Sequence, residues 1–222
     1  IKNGHHTEIV SLNVAGSTSS AIKSFISSYY GDHPNLDYVV MVGDAAQFPT
    51  ITADGNISDN YYGEIVGSDK YADVIIGKIS AEIEEHVNIQ VNKFIQYEQN
   101  PPVTAHLSSF LGIASSQGPG DNNEYDYTHI RNIDNQLQNF TYTSGYELFE
   151  GNQGGLDASG SPNPAKVAEA VNNGVGIINY CGHGAETYWV TSNFSVTNIN
   201  SLTNYNKLPF IFSVACVNGS YN

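Results

Sequence analysis

The chain has 222 residues, 40% hydrophobic and 14% charged, which suits one large domain or two small ones and excludes a disordered polymer. No apolar run reaches the ~18 residues of a membrane span. With 22 acidic residues against 8 basic and a net charge of −14, nucleic acid is excluded as a partner, and calcium or a basic substrate is favoured. The opening IKNGHHTEIV lacks the apolar stretch of a secretory signal, so the chain reads as mature, processed or excised protein. Its Asn, Ser, Thr, Tyr and Gly content with little Lys resembles that of extracellular bacterial proteins.

Residues 6–12 alternate as a strand does. Residues 17–31 read as a helix with Ile22, Phe25, Ile26 and Tyr29 on one face. The run LDYVVMVGD (36–44) has the pattern of a strand buried on both faces, and DVIIGKIS (73–80) reads as a second short buried strand. Residues 80–102 form the strongest helix pattern, with Ile83, Val87, Val91, Phe94 and Ile95 as a buried stripe and Pro101-Pro102 as its stop. The second half repeats the theme. Strands are expected at 108–116, 146–151, 175–184 and 207–219, and helices at 125–140 and 161–174. Strands alternating with helices predict an α/β fold of mostly parallel sheets flanked by helices, in two subdomains, 1–106 and 107–222.

In open α/β sheets, ligands sit beyond the carboxyl ends of the strands. Four predicted strands end in polar or reactive groups: Gly43-Asp44, Ser115-Ser116-Gln117, Cys181-Gly182-His183 and Ala215-Cys216. A thiol becomes a strong nucleophile as thiolate, and an imidazole beside it lowers its pKa. His183 stands in a Gly-His-Gly turn whose glycines let a substrate backbone approach and whose amides can face an oxyanion. Three other readings of these residues stay open at this level: inert core positions, a zinc site of Cys181, His183 and Cys216, and a Cys181–Cys216 disulfide.

INYCGHGAETYW (178–189) and LTNYNKLPFIFSVACVNG (202–219) resemble the gingipains, secreted caspase-like cysteine peptidases of Bacteroidetes, and most closely their arginine-specific branch. YVVMVGD (38–44), YYGEIVGSDKYADVIIGKIS (61–80) and LGIASSQGPGDNNEYDYTHI (111–130) follow the same pattern in order. The resemblance implies a caspase-like fold, with Cys216 as nucleophile, His183 as its base and acid partner, and Gly184 and Cys216 as oxyanion contacts. It places the third catalytic group at Gln117, where the family has an acid. Glu124 or Asp121 is a substitute only if the loop folds differently.

The resemblance further implies that Asp126 faces a basic substrate side chain. It also implies that Asp44, Val66, Asp69, Tyr71 and Asp73 form a calcium site of carboxylates and carbonyls. Compared with the family, the chain begins after the first strand and helix and stops shortly past Cys216, so a complementary C-terminal segment of the same precursor is an expected partner. The expected function is a secreted or cell-surface endopeptidase cleaving after a basic residue, Arg first. Alternatives are a sortase-like transpeptidase of the same family, or a calcium-stabilised binding module with weakened catalysis.

Overall fold

The computed structural model describes residues 4–53, 55–102 and 104–219. Two compact units divide between Gln99 and Asn100, seven residues ahead of the sequence-based boundary at 106.

In the first unit a short helix α1 (Leu12–Ala15) precedes α2 (Ser19–Asp32). Thr18 caps α2, its Oγ1 accepting from Ala21 N at 3.2 Å. Strand β1 (Tyr38–Val42), the hairpin β2 (Thr52–Ala53) and β3 (Asn56–Ile57), strand β4 (Ile75–Ile79) and helix α3 (Glu84–Gln99) follow. β1 and β4 pair in parallel from Tyr38↔Ile75 to Val42↔Ile79. The core of this unit is Ile22, Ile26, Met41, Phe48 and Tyr62.

Four expectations fail in this unit, the first being that β4 is a buried strand: none of its residues is buried and Ile75 is 60% exposed. Residues 6–12 form no strand, and Ile9 is 96% exposed: alternation cannot make a strand without a partner for its backbone groups. β1 is buried on one face only, since Met41 is inside while Val40 is 60% exposed. The α3 stripe is not buried either; Val87 and Val91 are half-covered and Ile83, Phe94 and Ile95 are exposed.

The second unit holds β5 (Ser109–Ala114), α4 (Asp126–Phe140), β6 (Ser144–Phe149), α5 (Pro164–Asn173) and β7 (Ile177–Cys181). A small antiparallel sheet of β8 (Gly184–Ala185), β9 (Tyr188–Trp189) and β10 (Phe194–Ser195) comes next, then α6 (Val196–Ile199) and β11 (Phe210–Val214). The main sheet is all parallel, in the order β11-β7-β5-β6. β5 is buried along its whole length because α4 covers one face and α5 the other. Leu111 and Ile113 join Val167, Val171, Ile178 and Tyr180, while Ala114 meets Ile130 and Phe149. Helix α5 starts at Pro164 after an Asn163 cap and stops at Gly174, as its sequence signals require.

The α4 face also buries charge. Arg131 donates to both Glu147 carboxylate oxygens, at 2.6 Å from Nη2, and to the carbonyls of Gln153 and Gly154. Asp134 lies against Gly112, where a Cβ would overlap its carboxylate, and is only 1% exposed. Burial first, then the Glu147 charge, push the Asp134 carboxyl up to about 7. Asn179 offsets this a little, yet neither Asp134 oxygen sits in hydrogen-bond geometry among the described residues.

Candidate active site

The parallel sheet of the second unit places the reactive residues in a row at its carboxyl edge. Val214 of β11 pairs with Cys181 of β7, and Gly182 N donates to Val214 O at 3.2 Å just beyond the strands. The segments 182–184 and 215–216 therefore leave the sheet side by side. A Cβ on Gly184 would strike the Cys216 carbonyl and the Ala215 side chain; one on Gly182 would strike Thr191 and crowd Ser115. The glycines flanking His183 are thus needed for packing, Gly184 against the Cys216 backbone and Gly182 against the Thr191 side chain.

His183 is fixed through its main chain. Its carbonyl accepts from Tyr180 Oη at 2.5 Å and from Val190 N at 2.9 Å, and its amide donates to Thr191 Oγ1 at 3.2 Å. The turn after β11 is fixed as well. Asn218 Nδ2 donates to Ala185 O at 2.5 Å, and Ser213 Oγ donates to Asn218 Oδ1 at 3.1 Å. Trp189 Nε1 reaches Ser213 Oγ at 3.0 Å. Val217 takes φ +52°, a left-handed conformation that a β-branched residue adopts only under constraint, so the chain turns sharply straight after Cys216. His183 and Cys216 are both exposed, and Cys216 is a free thiol.

Cys181 differs. It too is free, so the disulfide reading does not hold in this structure. Burial, the Asp126 charge and a hydrogen bond to Asp126 push its thiol up to about 11. It is therefore a protonated donor at neutral pH and a poor nucleophile. The zinc reading has no support either: among the described residues no three His, Cys, Asp or Glu side chains gather as metal ligands.

Asp126 opens α4, where a carboxylate complements the helix N-terminus. Its Oδ2 accepts from Ser115 Oγ at 2.5 Å, and with the Cys181 thiol this anchors the carboxylate at the ends of β5 and β7. Asp126 is half-buried, against the Cys181 thiol two residues before His183. Gln117 is engaged through its backbone: its carbonyl accepts from Asp126 N at 2.9 Å, and its amide donates to Ser115 Oγ at 3.2 Å. Among the described residues no hydrogen bond links its side chain to His183. Glu124 is committed elsewhere, to His129 Nδ1 at 3.0 Å and Asn132 Nδ2 at 2.8 Å. The Asp121 side chain lies outside the described set.

Sequence reasoning passed over Glu150, one residue beyond β6. Its Oε2 accepts from Ser116 N at 2.9 Å and Ser116 Oγ at 2.7 Å. Those two bonds hold the carboxyl below the usual carboxylate range, and His183 pulls the same way. The signal was present, because the strand-end rule that singled out Asp44 and Cys216 applies equally to FEG at 149–151.

The expected calcium residues lie in the first unit. Asp73 Oδ2 accepts from Ile65 N and Val66 N, both at 2.8 Å, and those amides hold its carboxyl low, with Lys23 adding to the effect. Asp69 Oδ1 accepts from Tyr71 N at 3.0 Å. Asp44 accepts from Ala45 N at 2.8 Å and Ser80 Oγ at 3.1 Å. The carboxylates and the Val66 and Tyr71 carbonyls are the hard oxygen donors calcium takes, although the acids are turned onto loop amides and gather no three-carboxylate cluster.

Comparison with known proteins gives a consistent result. The family model for peptidase family C25 matches residues 2–222. Gingipain R2 and gingipain R1 of Porphyromonas gingivalis are each 39% identical over 210 residues, 92% of this chain but 27% and 20% of their own lengths. The crystal structure of the Arg-specific cysteine proteinase gingipain R superposes with a TM-score of 0.88 at 38% identity, covering 97% of this chain and 49% of that one. The complex of the RgpB pro- and mature domains gives the same TM-score at 37% identity. The chain thus spans about a quarter of its relatives' length and half of the crystallised chain, and its expected caspase-like α/β fold is theirs.

Proposed function

The chain belongs to peptidase family C25, and from that premise we propose that it forms the catalytic part of a secreted cysteine endopeptidase cleaving after arginine. The observation that carries this reading is the seating of exposed His183 and Cys216 at the ends of neighbouring parallel strands, with Gly184 packed on the Cys216 backbone. Cys216 thiolate attacks the scissile carbonyl carbon, forming a C–S bond. The amides of Gly184 and Cys216 face the resulting oxyanion. His183 imidazolium gives its proton to the leaving amine as the C–N bond breaks. It then takes a proton from the water that attacks the thioester, releasing the acid and restoring the thiol.

The test is a peptidyl-arginine chloromethylketone on the reduced full-length protein. Stoichiometric labelling of Cys216 supports the reading, and an unlabelled wild type sinks it. A hydrolysed acid product that does not change on adding an amine separates hydrolysis from transpeptidation.

Asp126 supplies the specificity in this reading. Its carboxylate, anchored by Ser115 and Cys181, meets the planar guanidinium fork of the substrate. Asp126→Ala is expected to lower kcat/KM for arginyl substrates about 100-fold while sparing those with neutral residues at that position. Steady-state kinetics on a matched substrate pair checks this; an unchanged preference removes Asp126 from the pocket.

Two partners belong to the proposal. One is a basic peptide. The other is a further strand from the same precursor along β11, the edge of the main sheet, where Phe210, Ile211, Phe212 and Val214 are all exposed. Secretion rests on the family relationship. Calcium at the 65–73 loop is proposed as structural. Chelating an ion held at 100 times its Kd is expected to lower Tm by about 5–10 °C. Differential scanning calorimetry with and without chelator reads it, and an unmoved Tm counts against the site.

A further inference from the structure

We propose that these 222 residues escape the cleavage described above: their one arginine is locked inside the fold, and the basic residue of the exposed 66–73 loop is a lysine. The inference rests on the arginyl-peptidase reading. Of the chain's 8 basic residues, Arg131 is the only arginine. A peptidase that cuts after arginine therefore has one candidate bond in this stretch, Arg131–Asn132.

Cleavage there needs a guanidinium that can enter a pocket and a backbone that can extend through the site. Arg131 offers neither. Its Nε donates to Glu147 Oε1 and Oε2, both at 3.1 Å. Its Nη2 donates to Glu147 Oε2 at 2.6 Å and Gly154 O at 2.7 Å, and its Nη1 to Gln153 O at 3.0 Å. The guanidinium also lies over the Phe149 ring, 5.1 Å from its centre. Glu147 thus already fills the fork that a pocket carboxylate has to grip. The backbone is held as firmly. Arg131 stands inside α4, next to Ile130 and three residues from Asp134, both buried. Ile130 packs on Ala114 and Phe149, and Asp134 lies against Gly112 of β5. Presenting the bond means peeling this helix off the main sheet, an opening far rarer than the motion of a loop.

The lysines are placed otherwise. Lys70 and Lys93 are exposed. Lys93 stands within α3, whereas Lys70 lies in residues 66–73, which are all exposed and in neither helix nor strand. Such a segment is where nicking concentrates. An ammonium is a compact point charge and lacks the planar fork of donors that fits a carboxylate. The loop is therefore spared for as long as the pocket ranks arginine above lysine, and the chain's own surface depends on that discrimination.

The test has two arms. In the first, the reduced full-length protein is incubated alone, with a peptidyl-arginine substrate as activity control, and residues 1–222 are mapped by mass spectrometry. Wild type is expected to stay intact over this stretch. Lys70→Arg is expected to be cut between residues 70 and 71, water adding OH to the residue-70 carbonyl and H to the Tyr71 nitrogen. A wild-type cut after Arg131 or Lys70 overturns the proposal. So does an uncut Lys70→Arg in a protein that hydrolyses the control peptide. If the control peptide is not hydrolysed, the peptidase reading falls, and the second arm still decides the shielding. There, Cys216→Ala, with and without Lys70→Arg, is digested by an arginine-specific endopeptidase of another family. Native Cys216→Ala is expected to be cut after Arg131 at least about 10³-fold more slowly than a free peptide of residues 126–140. With Lys70→Arg added, the cut after residue 70 is expected to be at least about 100-fold faster than that after Arg131. Cleavage of the native chain after Arg131 at the rate of the free peptide, or equal rates at the two sites, overturns the proposal.

Discussion

Cys216→Ala is expected to abolish cleavage of arginyl substrates, with kcat/KM falling about 10⁴-fold or more, as for removal of a covalent nucleophile. Folding should survive, because Cys216 is exposed and its side chain fills no core position. The two thiols give an internal control. Cys181 is half-buried and bonded to Asp126, and its thiol sits at about 11, so it stays protonated and slow to alkylate. Alkylation followed by peptide mass mapping should therefore modify Cys216 alone, and Cys181→Ser should keep the nucleophile. Residual cleavage by Cys216→Ala would reassign the nucleophile. Alkylation at Cys181 before Cys216 would reverse the roles given to the two sulfurs.

Asp134→Asn is expected to stabilise the protein in alkaline solution and to leave it nearly unchanged in acid. The folded-state carboxyl is pushed up to about 7 from its ordinary value of 3.8, so the folded chain holds an extra proton between those values. Stability therefore falls as pH rises through that window, and the loss levels off above about 7. A shift of about three units corresponds to about 4 kcal/mol of stability lost, the largest energetic effect of any single titrating group described above. Asparagine cannot ionise, so urea unfolding at pH 8 should show the variant more stable by up to about 4 kcal/mol, with little difference at pH 4. Equal differences at both pH values would show that burial of Asp134 exerts no proton-linked cost.

The second unit was the more legible half. Its strands at 109–114 and 177–181 and its helices at 126–140 and 164–173 lie where the apolar runs, caps and glycine stops put them. Those signals are local, and tertiary packing reinforced them by covering β5 on both faces. In the first unit the same signals misled. Periodicity in 36–44 and 80–99 marks which residues form a face, and it says nothing about whether another element covers that face. Val40 and Phe94 are apolar and periodic, yet exposed.

At the site, the strand-end rule brought Cys216 and His183 to one edge, because parallel register is regular enough to infer, whereas Asp126, the first residue of α4, came from the family resemblance. What it could not supply was the direction of each side chain. Gln117 is engaged through its backbone, while Glu150 reaches to Ser116 at the end of the neighbouring strand. The glycines around His183 carried a second meaning that only close packing against Cys216 and Thr191 reveals.

Trp189 is the chain's only tryptophan. Its ring stacks on Tyr180 at 4.6 Å with 8° between planes, and its indole N–H bonds Ser213 on the strand that leads to Cys216. Tyr180 in turn holds the His183 carbonyl. The one indole chromophore is thus wired to both halves of the reactive pair. Its intrinsic fluorescence, excited selectively, becomes a built-in optical reporter of whether that edge of the sheet is assembled, with no dye or engineered label required.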